Sequence, residues 1–323
     1  MKKVLQIDGG GILGIMPLAV LVEIERVTGQ PCYKQFDLMS GTSTGSIICG
    51  TLAAGVPASV LYDLYVNHGK TLFTKTPWYN VETKYDRTNL LKTIYSMIQQ
   101  YGRGSTMGDV RTDFISAAFN RCSGRTHFQM SWDAYHKTLD LAQVIAWSSL
   151  SAVHYFGPIA APNYAYDADF QVDVPYRTQG AVWYDGGQGR NNCTINECIT
   201  TCFLQGYLQE PTIDGYGATD DVYLLSLGCG ATKLARSYDE CVKDNEITEI
   251  KDVISEARDE GVYDQLSKAY ALASRLKNLH VSRMDVVIQE SENVLDALDK
   301  IPNFVAYGEK LKTQIPDIFK KVG

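Results

Sequence analysis

Ser43 stands between two glycines in Gly41-Thr42-Ser43-Thr44-Gly45, directly after the apolar run Phe36-Asp37-Leu38-Met39 and before Ile47-Ile48-Cys49. A serine on a tight strand-to-helix turn has its hydroxyl pushed clear of the backbone, and small neighbours let backbone and substrate approach closely. The chemistry such a serine performs is nucleophilic attack. It needs two helpers, donors for a developing oxyanion and a base for the hydroxyl proton.

Donors are available in Asp8-Gly9-Gly10-Gly11-Ile12-Leu13-Gly14, which follows the short apolar run Val4-Leu5-Gln6-Ile7. Pro17 to Glu25 then reads as a helix with proline tolerated in its first turn. Backbone N–H groups in a glycine loop aimed by a helix start form a site for negative charge. Two chemistries compete for it. Gly9, Gly11 and Gly14 satisfy G-x-G-x-x-G, the fingerprint of a dinucleotide-binding oxidoreductase, which also asks for an acidic residue at the end of the second strand. That strand candidate ends in Met39-Ser40 and runs straight into Ser43, with Asp37 inside the strand and not at its tip. An oxyanion hole for acyl transfer fits the following serine better.

The histidines that could act as base are His68, His127, His136, His154 and His280. Only His280 is late enough for the usual chain order of an α/β-hydrolase, and a lone histidine between apolar residues is ordinarily structural. Asp185 differs, because the apolar run Ala181-Val182-Trp183-Tyr184 ends abruptly in Asp185-Gly186-Gly187. Read alone, Asp-Gly-Gly is an ordinary turn. Beside the serine and the glycine loop it becomes a base candidate, since desolvation can raise a carboxylate's pKa enough to accept a serine proton.

Taken in order, Asp8-Gly9-Gly10-Gly11-x-x-Gly14, Gly41-Thr42-Ser43-Thr44-Gly45 and Asp185-Gly186-Gly187 resemble the patatin-like phospholipases. Further echoes lie in Ser148-Ser149-Leu150-Ser151-Ala152, in Asn191-Asn192 and in Leu224-Leu225-Ser226-Leu227-Gly228-Cys229-Gly230. The resemblance implies a Ser-Asp dyad without a catalytic histidine: Ser43 as nucleophile, Asp185 as base and the backbone of Gly9, Gly10 and Gly11 as oxyanion hole. Asp8, Gly14, Gly41, Gly45, Gly186 and Gly187 would support the motifs. It implies an α/β protein with a three-layer α/β/α patatin-like fold and a mostly parallel central sheet, acting on fatty-acyl esters of glycerolipids and phosphoglycerolipids without cofactor or metal. Two departures stand out. The family usually carries a basic residue in its glycine loop where this chain has Leu13, and a proline after the paired asparagines where this chain has Cys193. The first weakens the phospholipid head-group reading and leaves the N–H donors untouched.

The elements that must position these residues follow from periodicity. Residues 60–65, 90–98 and 141–147 read as helices, Phe114-Phe119 and Thr126-Met130 as a strand pair, and Val222-Leu227 as a buried strand. Beyond about 235 the chain becomes charged and helical, with 247–273 and 294–298 the clearest pieces. No linker-like break divides the 323 residues, so one domain is expected, its motif-bearing core at 1–235 and a looser part at 236–323.

Of the composition, 45% is hydrophobic and 21% charged, enough to bury a sizeable core. Lys2 and Lys3 precede too short an apolar run for a signal peptide, and no run approaches a membrane span, so a cytoplasmic protein, peripheral at membranes, is expected. Eight cysteines without a secretory signal are expected reduced, and Cys193, Cys198 and Cys202 lack the partners of a zinc set. The net charge of −7, without basic tracts interleaved with aromatics, argues against nucleic acid as partner. Lipid, presented by a membrane surface, would have to meet a local apolar surface, for which Leu72 to Tyr79 and Tyr164 to Phe170 are candidates. Open alternatives are a transacylase, a non-catalytic lipid-binding protein on the same fold and, on the glycine fingerprint, the oxidoreductase. Oligomeric state is not legible here.

Overall fold

The computed structural model describes residues 1–76, 83–153, 155–164, 180–208, 221–232 and 246–320, with residues 246–258 described by backbone alone. Its centre is an eight-stranded sheet. The strands are β1 (Lys2–Ile7), β2 (Leu38–Thr42), β3 (Asp113–Asn120), β4 (Arg125–Met130), β5 (Ile159–Ala161), β6 (Ala181–Asp185), β7 (Val222–Leu227) and β8 (Leu279–Met284). Their order is β8-β7-β1-β2-β3-β6-β5, with β4 on the remaining edge of β3. The pairs β8/β7, β7/β1, β1/β2 and β2/β3 are parallel, while β3/β4, β3/β6 and β6/β5 are antiparallel.

Parallel strands covered on both faces need apolar residues at successive positions, and the sequence supplies them. Because side chains alternate along a strand, Leu5, Met39, Phe114 and Leu225 pack into one core while their neighbours Val4, Leu38, Ile115 and Leu224 pack into another. The first core is covered by α1 (Ile15–Thr28), α2 (Thr44–Ala54), α3 (Ala58–Asn67), α4 (Thr88–Tyr101), α5 (Leu141–Ser149) and α8 (Ile301–Lys312); the second by α6 (Ile195–Leu204) and α7 (Glu246–Ala273). Three α/β/α layers result. Helix α2 is buried at every residue, which is why Gly45, Gly50 and Ala53 recur where a surface helix would carry charge.

One feature of the sheet places the chemistry. Strand β4 occupies one edge of β3 along Ile115–Asn120, so β2 and β6 must share the other edge. They meet there end to end: Thr42 at the tip of β2 pairs with Ala117, and Asp185 at the tip of β6 pairs with the next residue, Ala118.

Two sequence expectations need correction. Val294 to Leu298 is not helical until its last residue: Leu295 and Asp296 form a turn pinned from both sides, by Ile12 N–H on Leu295 C=O at 2.8 Å and by Tyr85 Oη on Asp296 Oδ2 at 2.5 Å. Tyr164 does not face solvent or a membrane; it is buried edge-on against Trp147 and Trp183. Trp78, Tyr79, Tyr166 and Phe170, from the same two candidate membrane segments, lie outside the described residues.

Candidate active site

Ser43 is the link between β2 and α2, and it alone among the described non-glycine residues has a left-handed φ, at φ 54 and ψ −124. An L-residue holds such a conformation only where its surroundings over-determine it. They do so here in several ways. The Ser43 N–H donates to Ser148 Oγ at 3.1 Å, Ser148 Oγ donates to Ala117 C=O at 2.6 Å, and the Ser43 C=O accepts from Ser46 N–H at 2.9 Å to open α2. Strand and helix lie so close that a Cβ on Gly41 would come within 2.7 Å of Ser46 N.

Asp185 is buried beside the Ser43 hydroxyl, which favours its charged form, and accepts a hydrogen bond from the Gly187 N–H donor at 2.8 Å. Burial raises its pKa to about 7, against the opposing pull of those two donors. The carboxylate is therefore poised between its charged and neutral forms near neutral pH.

The glycine loop approaches from β1. A Cβ on Gly9 would lie 3.0 Å from Ser43 Cβ, so loop and serine pack directly on each other. Gly9 is clamped by Asn192, whose C=O accepts the Gly9 N–H at 3.2 Å and whose Nδ2 donates to Gly9 C=O at 3.2 Å. That engagement takes Gly9 N–H away from any ligand. Among the described residues the N–H groups of Gly10 and Gly11 have no protein acceptor. Gly11 sits at φ 55, in the left-handed region that favours glycine, and Leu295 packs where a side chain would go. Leu13, at the position of the family's basic residue, is buried in the core.

Ser43, Asp185 and Gly9 to Gly11 border one cavity of 710 Å³, whose walls are otherwise largely apolar, with Ile47, Leu72, Phe73, Leu90 and Phe156 among them. Phe73 stacks on Phe156 and meets Tyr85 edge-on, so Leu72 and Phe73 of the 72–79 segment form cavity wall. Among the described residues no histidine borders it. His127 and His136 are buried elsewhere, where burial lowers each to about 4 and keeps the rings neutral at pH 7. His280 is exposed on β8, and His154 lies outside the described residues. Among the described residues no cluster of potential metal ligands and no helix long and apolar enough to cross a membrane is present.

Several contributors escaped the sequence motifs. Asn293, Val294 and Leu295 line the cavity, and Arg283 on β8 contacts Asp8 at the root of the glycine loop. Their only sequence signal is weak: an arginine within the mixed stretch Leu279–Met284, and a polar-apolar stretch that resembles a helix.

The chain belongs to the patatin-like phospholipases, whose family model matches residues 5–198. It is similar to a cUMP-AMP-activated phospholipase of Escherichia coli, 48% identical over 66 residues that make up 20% of this chain and 21% of that one. A cGAMP-activated phospholipase of Vibrio cholerae is 27% identical over 256 residues, 69% of this chain and 66% of the relative. Patatin-like protein 2 of Oryza sativa is 32% identical over 261 residues, 72% and 61% of the two chains. Among solved structures, VipD from Legionella pneumophila superposes with a TM-score of 0.45 at 14% identity, covering 97% of this chain and 66% of that one. The first two curated relatives are matched over only 21% and 38% of their own length. Family membership supports a lipid acyl hydrolase, and the mostly parallel sheet between helical layers is the patatin fold.

Proposed function

We propose that the protein hydrolyses fatty-acyl esters of glycerolipids and phosphoglycerolipids through a Ser43–Asp185 dyad. The observation that carries this is a strained, elbow-held Ser43 beside a buried carboxylate raised to about 7, both on the border of one largely apolar cavity. Ser43 Oγ attacks the ester carbonyl while Asp185 takes the hydroxyl proton. The N–H groups of Gly10 and Gly11 receive the oxyanion, and Gly9 serves by holding the loop on Asn192. As the tetrahedral intermediate collapses, Asp185 returns the proton to the departing alcohol and the acyl group stays on Ser43. Water then attacks the acyl-enzyme, Asp185 accepts its proton, and collapse releases the fatty acid with the proton restored to Ser43 Oγ. No histidine, metal or cofactor has a part in this scheme.

Lipid would be drawn from a membrane surface into the cavity behind Phe73. The names of several relatives further lead us to propose that a cyclic dinucleotide raises the activity. The test is release of fatty acid from mixed phospholipid and neutral-lipid vesicles, followed by mass spectrometry, with and without cGAMP or cUMP-AMP. Wild type is expected to release fatty acid, more so with one nucleotide, and Ser43→Ala and Asp185→Asn to release none while staying folded. Transfer of the acyl group to another lipid without free fatty acid would identify a transacylase. Lipid binding without any Ser43-dependent product would leave a binding protein.

A further inference from the structure

Arg283 is a buried cation on a strand outside every recognised motif, its side chain 11% exposed. Its Nη2 donates to Asp8 Oδ2 at 2.6 Å and to Asp285 Oδ2 at 2.7 Å, and its Nη1 donates to Ser226 Oγ at 2.9 Å. Ser226 Oγ donates to Gln6 Oε1 at 2.5 Å, and Gln6 Nε2 donates to Asp8 Oδ1 at 2.9 Å. The parallel register sets Arg283 beside Ser226 and Ser226 beside Gln6 on three adjacent strands. The four side chains thus close a ring whose apex is Asp8, the residue that opens the glycine loop.

Burying such a ring is weak evidence for stability, because removing charges from water opposes most of what their attraction returns. Its location is more telling. Both carboxylate oxygens of Asp8 are held, its N–H donates to Leu227 C=O at 3.1 Å, and its C=O accepts from the Cys229 thiol. Asp285, on the same guanidinium, accepts the Gly230 N–H at 2.9 Å, so the neighbouring 229–230 turn is tied to the same cation. The next residues after Asp8 are the glycines, which have no side chains with which to anchor themselves.

We propose that Arg283 is a positioning residue for the oxyanion loop, acting through Asp8 to hold the Gly10 and Gly11 N–H groups where negative charge develops. The role rests on the Ser43 acyl-transfer reading. It also answers the departure at Leu13: a cation reaches the root of this loop from β8, and, engaged by two carboxylates, it is not offered to a lipid phosphate.

The test compares Arg283→Gln and Arg283→Lys with wild type, using a soluble ester with kcat normalised to active sites titrated by a fluorophosphonate, and hydrogen exchange of the Asp8, Gly9, Ile12 and Leu13 amides. Arg283→Gln is expected to lower kcat per titrated site about 100-fold, the range seen on losing one oxyanion donor. KM should stay within about twofold and the four loop amides should exchange faster, with α2 still protected. Lysine, a point charge that reaches one carboxylate, should recover about tenfold. A purely structural role would lower the titrated fraction without changing kcat per site. Unchanged kcat per site, or unchanged loop exchange, overturns the proposal. If Arg283→Gln does not fold, the Asp8→Asn, Arg283→Met, Asp285→Asn triple variant, which removes all three charges of the cluster, is judged by the same two readouts. The exchange measurement needs no turnover, so an inactive wild type would refute the hydrolase reading while the exchange result still decides the loop's anchorage.

Discussion

At the scale of residues, two features define the site: a serine held at φ 54 and a carboxylate raised to about 7 by burial. The second has a thermodynamic consequence whose sign can be worked out. With a folded pKa of about 7 against an ordinary 3.8, the folded protein binds more protons between those values, so ionising Asp185 destabilises the fold as pH rises from 3.8 to about 7. At roughly 1.4 kcal/mol per unit the full effect is on the order of 4 kcal/mol. Asp185→Asn never ionises. Its thermal midpoint relative to wild type is therefore expected to climb between pH 4 and 7 and then level off; a difference independent of pH would show an ordinary carboxylate. That Ser43 and Asp185 would meet at one cavity was legible in the sequence because an elbow needs glycines beside the serine, and Asp185 is followed by two more. The proposed loop donors could be read only as a set. That Gly9 N–H is committed to Asn192 depends on a backbone contact 183 residues away, which no local pattern encodes.

At the scale of elements, serine and aspartate meet because β2 and β6 abut on one edge of β3, opposite consecutive residues Ala117 and Ala118. The strand pair β3/β4 could be read from two apolar-rich runs joined by the short turn Cys122-Ser123-Gly124-Arg125. That β4 leaves room for two strands to meet on the far edge is a matter of register, set by long-range pairing. At 294–298 long-range contacts override local pattern: an apolar spacing suited to a helix serves as a turn, because Leu295 C=O accepts from Ile12 N–H and Asp296 is held by Lys84 and Tyr85. Helix α4 contributes Leu90 to the cavity wall. In Leu90→Trp the larger ring can enter the 710 Å³ space, and the ratio of kcat/KM for long over short acyl esters is expected to fall about tenfold, since even one methylene of apolar contact is worth roughly 1–3 kcal/mol. An unchanged ratio would place the acyl chain elsewhere.

At the scale of the whole molecule, residues after 235 complete both the sheet and the site. Strand β8 pairs with β7 along its full length, α8 covers α1, and Asn293 to Leu295 close the cavity beside the glycine loop. The sequence showed this part only as a charged, more loosely matching piece of one domain, because β8 carries no motif. A chain ending at residue 235 is expected to be insoluble or molten, with β7 exposed as an unpaired edge and no labelling at Ser43. A folded, labelling-competent fragment would show that the motif-bearing core stands alone.

The proposed dyad is tested most directly by the rate at which a fluorophosphonate labels Ser43 as a function of pH, in wild type, Ser43→Ala and Asp185→Asn. The expected result is a single modified residue, Ser43, labelled at a rate that rises through a midpoint near pH 7 as Asp185 ionises, with no labelling of Ser43→Ala and almost none of Asp185→Asn. Labelling of Asp185→Asn at the wild-type rate, or modification at another residue, would contradict it.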